Sequence, residues 1–111
     1  MRVRVAIAPD LPPLAREVES ELFRIVGEAL ANVSKHSGAR EASIALARVR
    51  GRLQLLVRDP GRGFRTRVAR RHGFGLLGIE DRARAIGGRA TIRSTPGRGT
   101  TVVVTVPLAP S

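Results

Sequence analysis

Two glycine clusters close together restrict this chain more than any other feature. Asp59–Gly63 reads D-P-G-R-G and Gly73–Gly78 reads G-F-G-L-L-G, with an arginine-rich stretch between them. Glycine accepts positive φ and lets the backbone approach a neighbour closely, so such runs do not sit inside a helix or strand. The region must therefore be a built loop, with a carboxylate at its entrance and a helix at its exit. The rest of the chain has to fold so as to hold that loop.

The flanking segments supply alternating and helical patterns in order. Arg2 to Ala8 alternates, with Val3, Val5 and Ile7 on one face, and reads as a strand. Asp10-Leu-Pro-Pro breaks it. From about Leu14 to His36 the pattern is helical, with Leu22, Val26, Ala29, Leu30 and Val33 on one arc and Glu21, Arg24, Glu28, Asn32 and Lys35 on the opposite stripe. Ser37-Gly38 ends this helix, glycine supplying the left-handed stop. Glu41–Val49 and Leu53–Arg58 form a hairpin across Arg50-Gly51-Arg52. Arg65 to His72 has no clean period and reads as a mobile loop or short lid that is expected to be unprotected without ligand. Leu76 to Ile86 is a second helix stopped by Gly87-Gly88, followed by strands Ala90–Ser94 and Thr100–Val106. About five strands and two substantial helices predict an α/β two-layer sandwich. Its sheet should be mixed and mostly antiparallel, with helices on one face and the other face wetter.

Composition narrows the class. At 111 residues the chain is one domain, and its 42% hydrophobic content is ordinary for a globular protein. The absence of cysteine excludes disulfides and thiolate metal sites. No apolar run reaches the roughly 18 residues of a membrane helix, and the N-terminus is too short in apolar residues for a signal peptide. The net charge is +11, with nineteen of twenty basic residues arginine. A polyanion partner would fit it, but three Phe and no Trp or Tyr leave few stacking platforms for nucleic acid. A solvated arginine-rich surface is the preferred reading.

Four runs in this order, ELFRIVGEALANVSKH (21–36), VRDPGRGF (57–64), GFGLLGIEDRARAIGG (73–88) and STPGRGTTVVVTVP (94–107), resemble the ATP-binding catalytic domain of bacterial sensor histidine kinases. The similarity is greatest to the nitrate-sensor and membrane-fluidity-sensor subgroup. The wider superfamily includes gyrase and MutL and places an ATP site between a sheet face and a flexible lid. The resemblance implies the histidine-kinase-type ATPase fold, with ATP and Mg²⁺ as cofactors. It also implies transfer of the γ-phosphoryl group to a histidine on a separate dimerisation domain, and a response regulator downstream. A cytoplasmic location is implied, whether or not a parent protein is membrane-anchored.

The resemblance also assigns roles. Asn32 matches the asparagine that helps hold Mg²⁺ against the triphosphate, which suits a cation that takes oxygen ligands and keeps waters and phosphates. Glu28, one turn earlier, matches the acidic position that orients the phosphoryl acceptor or activates water, and is otherwise a solvated helix carboxylate. Lys35, the only lysine, falls at a phosphate contact. His36 is either a phosphate neighbour or a helix-end residue that complements the dipole. Asp59 matches the carboxylate that receives the adenine amine, being acceptor-only when ionised, and would favour ATP over GTP. Gly61 and Gly63 let the loop pass the base. Gly73, Gly75, Leu76 and Gly78 form the second glycine box, where backbone N–H groups at a helix start can cradle phosphate oxygens. Thr100 matches the hydroxyl completing the adenine contact, and is otherwise an ordinary strand threonine.

Two departures stand out. Pro60 replaces the polar residue usual after the aspartate and removes a backbone donor. No phosphoacceptor hairpin precedes Arg2, and the only histidines, His36 and His72, lie inside the site's own motifs. The chain is thus expected to be a single catalytic module, residues 1–111, cut or split from a longer kinase. A regulatory module like the anti-sigma serine kinases is the alternative, and a basic nucleic-acid binder the third reading.

Overall fold

The structure is a computed structural model that describes residues 1–65 and 75–108. The expected lid, Arg65 to His72, falls outside the described residues except for Arg65, as does Gly73.

Strand β1 (Arg2–Ile7) leads to helix α1 (Arg16–Asn32), which continues into a π-helical turn, Val33–Ser37. Strands β2 (Glu41–Val49) and β3 (Arg52–Asp59) follow, then helix α2 (Leu76–Ala85) and strands β4 (Arg89–Ser94) and β5 (Thr100–Pro107). The five strands form one sheet in the order β1-β2-β3-β5-β4. Only β1 and β2 run parallel, because α1 separates them and supplies the long crossover that parallel pairing needs. The remaining pairs are antiparallel. The β2–β3 connection is the tightest available. Arg50 (φ 53°) and Gly51 (φ 75°) both take positive φ, matching the two-residue turn whose twist suits a hairpin.

Both helices pack on one face of the sheet. Leu22, Ile25 and Ala29 of α1 and Ile79 and Ala83 of α2 meet the inward residues of β3 and β5, among them Leu53, Leu55 and Val104. Ile25, Leu53, Ile79 and Val104 are each fully buried, and each contributes about 1.5–3 kcal/mol of apolar burial. An ion pair between Arg82 and Glu21 (3.3 Å) also links the helices. Being partly exposed, it adds little beyond alignment.

Two expectations need correction. The buried stripe of α1 runs through Ile25, which the expected arc omitted, and Asn32 is buried with it (9% exposed) rather than solvated with Glu28 and Lys35. The reason is angular: Asn32 and Val33 follow Ala29 by three and four residues and so share its side of the helix. The regular α-helix also stops at Asn32, and only the π-helical turn reaches Ser37 before Gly38 (φ 70°) closes the segment as expected. On β1, Val3, Val5 and Ile7 share the helix-side face but stay 37–63% exposed. The main helix contacts are with β3, β5 and β4, away from this edge of the sheet.

Candidate functional site

At one end of the sheet, register brings three polar side chains into a row. Asp59 closes β3 opposite Thr100 at the start of β5, and Thr100 lies opposite Ser94 at the end of β4. All three point to the helix side. Asp59 (4% exposed) and Thr100 (8% exposed) are buried, and Ser94 is half-buried. A narrow cleft of about 10 Å³ opens above Asp59 and Thr100, walled by Asn32, Val33 and Ser37 from the first helical segment and by Phe64 and Leu76.

Each side chain in the row is held at one point. The Gly61 N–H donates to Asp59 Oδ1 at 2.8 Å. Among the described residues, the second carboxylate oxygen takes no hydrogen bond, and no fully buried side-chain oxygen or nitrogen lacks a partner. Asp59 lines this cleft and also a second groove beside Arg58 and Pro60. Ser94 Oγ accepts the Phe64 N–H (2.8 Å), lies 2.8 Å from Thr100 Oγ1 and reaches the Gly99 carbonyl at 3.2 Å. Ser94 has a single proton, so whichever neighbour receives it fixes whether Thr100 presents a donor or an acceptor to the cleft.

The loop after Asp59 is clamped from two sides. Its Arg62 N–H donates to the Ser37 carbonyl at 2.8 Å. A Cβ on Gly61 would lie 2.6 Å from Ser37 backbone and side-chain atoms. Gly63, with φ 65°, presses against the Thr95 carbonyl, and Gly99 presses against that of Asp59. The close approaches that these glycines permit are thus to Ser37 and to the β4–β5 turn. Ser37 is itself fixed, its hydroxyl donating to the Val33 carbonyl (2.9 Å) and accepting from the Ala39 N–H (3.0 Å).

The remaining sequence candidates divide. Asn32 lines the cleft, and among the described residues its amide makes no hydrogen bond. Leu76 (2% exposed) walls the cleft behind Gly75, which takes φ 72° at the start of α2. Glu28 is exposed, and its Oε2 lies where a Cβ on Gly75 would be, so the first helix and the start of α2 meet at that point. Lys35 is exposed and His36 half-buried on the π-helical turn, and neither lines the cleft. Gly78 is not brought to the cleft: it lies on the outer side of α2 beside Glu21, Asp81 and Arg82. Sequence reasoning missed Ser94, Ser37 and Phe64. A serine ending a strand carries no signal of its own, since only register shows it opposite Thr100.

Helices on one face of a half-covered mixed sheet, with the cleft between layers, make the histidine-kinase-type ATPase fold. Over residues 17–110 the chain matches the family described as histidine kinase-, DNA gyrase B-, and HSP90-like ATPase, and it belongs to that family. It is 40% identical over 97 residues to the sensor histidine kinase LiaS of Bacillus subtilis, covering 87% of this chain and 27% of that protein. It is 33% identical over 91 residues to the signal transduction histidine-protein kinase/phosphatase DegS of Brevibacillus brevis, covering 82% of this chain and 24% of that one. The chain thus spans about a quarter of the length of these relatives. Among solved structures, the ATP binding domain of PrrB from Mycobacterium tuberculosis superposes with a TM-score of 0.75 at 25% identity, over 98% of this chain and 82% of that one. The histidine kinase AdeS of Acinetobacter baumannii, at 14% identity and a TM-score of 0.78 over 98% of this chain and 55% of that one, shares the fold.

Proposed function

We propose that this chain binds ATP with Mg²⁺ and serves as the catalytic domain of a two-component sensor kinase. It would pass the γ-phosphoryl group to a histidine on a separate dimerisation domain, from which a response regulator is served. The observation that carries this reading is the Asp59–Thr100–Ser94 row, with Asp59 and Thr100 lining the cleft and one carboxylate oxygen of Asp59 taking no hydrogen bond among the described residues.

The donor set fits such a ligand. A carboxylate lining the cleft accepts an exocyclic amine and repels a ring carbonyl, which selects adenine over guanine. Thr100, steered by Ser94, supplies the second polar contact to the base, and Leu76 and Phe64 give the cleft apolar walls. Among the described residues, no group of three or more His, Cys, Asp or Glu side chains could hold a metal alone. A divalent cation here would rest on phosphate oxygens, waters and the Asn32 amide oxygen, the arrangement that suits Mg²⁺. When bound, Mg²⁺ supplies charge neutralisation at the triphosphate. Glu28, beside Gly75 at the cleft's outer edge, is placed to orient the incoming imidazole. Lys35 and His36 reach the phosphates only by side-chain movement from the π-helical turn. Gly73 would contribute N–H donors with Gly75, while Gly78 serves the helix rather than the ligand.

As the catalytic domain of a sensor kinase it would lie in the cytoplasm; among the described residues, no helix is long and apolar enough to cross a membrane. Calorimetric titration with a non-hydrolysable ATP analogue tests the proposal. Binding should be measurable with Mg²⁺ and weaken about tenfold or more with EDTA, and adding a histidine-bearing dimerisation domain with ATP should yield an acid-labile phosphohistidine. An intact fold that gives no heat at millimolar nucleotide would refute it.

A further inference from the structure

The two layers of the domain differ in charge. The two helices and the π-helical turn carry six acids against five Lys and Arg residues, close to balance. The open face of the sheet carries six arginines (Arg2, Arg4, Arg52, Arg58, Arg89 and Arg93) and one acid, Glu41, at its corner. All six arginines are exposed, and among the described residues none pairs with a carboxylate.

Their placement is ordered by register. Arg4, Ser43, Arg58, Thr101 and Arg93 form one row across all five strands, so arginine stands on every second strand. With strands about 4.7–4.9 Å apart, the three arginine positions repeat roughly every 9.5 Å. The next row, Ala6, Ala45, Leu56, Val103 and Thr91, has a half-buried apolar centre. Beyond it stand Arg89 and Arg52. A shallow groove of about 390 Å³ opens at the first row's end of the sheet, lined by Arg4, Ser43 and Arg58 and reaching Asp59 and Pro60 at its edge. An apolar strip bordered by unpaired cations has the core-and-rim anatomy of a protein interface, and the arginine stems can lie along the strip while their heads stay wet.

We propose that this open sheet face docks an acidic amphipathic helix of a protein partner, separately from the nucleotide cleft on the opposite face. Seven residues of α-helix advance about 10.5 Å, so acids at i, i+7 and i+14 fall near Arg4, Arg58 and Arg93. Apolar residues on the adjoining stripe of that helix then cover Leu56 and Val103. Charge complementarity decides the occupant. A second copy would set six arginines against six and be repelled. Single-stranded nucleic acid would find no aromatic platform on the face, which has none. A lipid surface needs several protruding large apolar side chains, whereas Leu56 and Val103 are half-buried and Val49, at the far end of β2, is the exposed one among the described residues of this face.

The test uses the full chain, isotope-labelled, and a helical peptide carrying Glu at i, i+7 and i+14 with Leu on the adjoining stripe. Amide shifts should cluster on Arg4, Leu56, Arg58, Arg93 and Val103, and affinity should fall steeply with salt. The double variant Arg4→Glu/Arg93→Glu should bind the peptide about tenfold or more weakly, with unchanged dispersion in its spectrum and unchanged affinity for an ATP analogue. Val103→Asn, which removes apolar area without touching charge, should also weaken the peptide. The proposal is overturned if a composition-matched scrambled peptide binds equally well, or if the shifts map elsewhere. Tighter binding of duplex DNA or phosphatidylglycerol vesicles to the same face would overturn it as well.

Discussion

Replacing Asp59 with asparagine isolates the chemistry of the cleft. Asp59 is 4% exposed and lines the cleft, with Oδ1 held by the Gly61 N–H at 2.8 Å and Oδ2 taking no hydrogen bond among the described residues. Asparagine has nearly the same shape, and its single oxygen will stay with the Gly61 donor. Its NH₂ then takes the place of Oδ2, where a donor meets the donor amine of adenine. One hydrogen bond to a charged acceptor is lost, about 1.5–3 kcal/mol, so the adenine nucleotide should bind roughly 10–150-fold more weakly. Stability should change by less than about 1 kcal/mol, because the loop's own hydrogen bond survives in neutral form. Guanine reverses the comparison, since its ring carbonyl can accept from the new NH₂. Calorimetry with ATP and GTP analogues on both proteins, alongside urea denaturation, reads all three quantities. Wild-type ATP affinity in a folded Asp59→Asn protein, or an unaltered ATP-to-GTP ratio, would refute the reasoning.

Other substitutions probe the frame around this contact. Gly27 sits inside α1 with no heavy atom within 4 Å of a Cβ placed on it, so Gly27→Ala should stabilise by about 1 kcal/mol and raise Tm by about 4 °C, with nucleotide affinity unchanged. Ser94→Ala strips Phe64 of its N–H acceptor and Thr100 of its hydroxyl partner; denaturation should show a loss of about 1–3 kcal/mol, and calorimetry a weaker nucleotide. Gly61→Ala drives a Cβ to 2.6 Å from Ser37 and should cost about 1–3 kcal/mol by overpacking. Because that shift moves the Asp59 loop, nucleotide affinity should fall with it.

Local signals carried the elements, and non-local ones were beyond them. Among the described residues, alternation and glycine placement located every strand and both helices, and Arg50-Gly51 marked its hairpin because a tight turn demands positive φ there. The burial of Asn32 was not legible. A helical wheel centred one residue off put it among solvated residues, and only the sheet beneath decides where the apolar stripe ends. Val3, Val5 and Ile7 alternate as a half-buried strand would, yet the helices lie over the other strands and leave them exposed. At the cleft, Asp59 and Thr100 were identifiable through resemblance to a family. Ser94 and Ser37 were not, since their roles exist only through pairing and a turn that no spacing rule describes.

Ser37 also explains how two distant segments come to share one cleft. Asn32 ends a helix and Asp59 ends a strand, and nothing in the local geometry of either sets its distance from the other. The π-helical winding of Val33–Ser37 widens the last turn, and such turns recur where a helix must redirect itself at a functional site. That turn brings the Ser37 carbonyl to the Arg62 N–H and its side chain against Gly61. The loop carrying Asp59 is therefore registered against the helix carrying Asn32 through Ser37, with the Arg62 side chain lying against neighbouring Gly38. In the proposed function, base recognition and phosphate contact share that joint, so a disturbance at Ser37 should be felt at both ends of the nucleotide together.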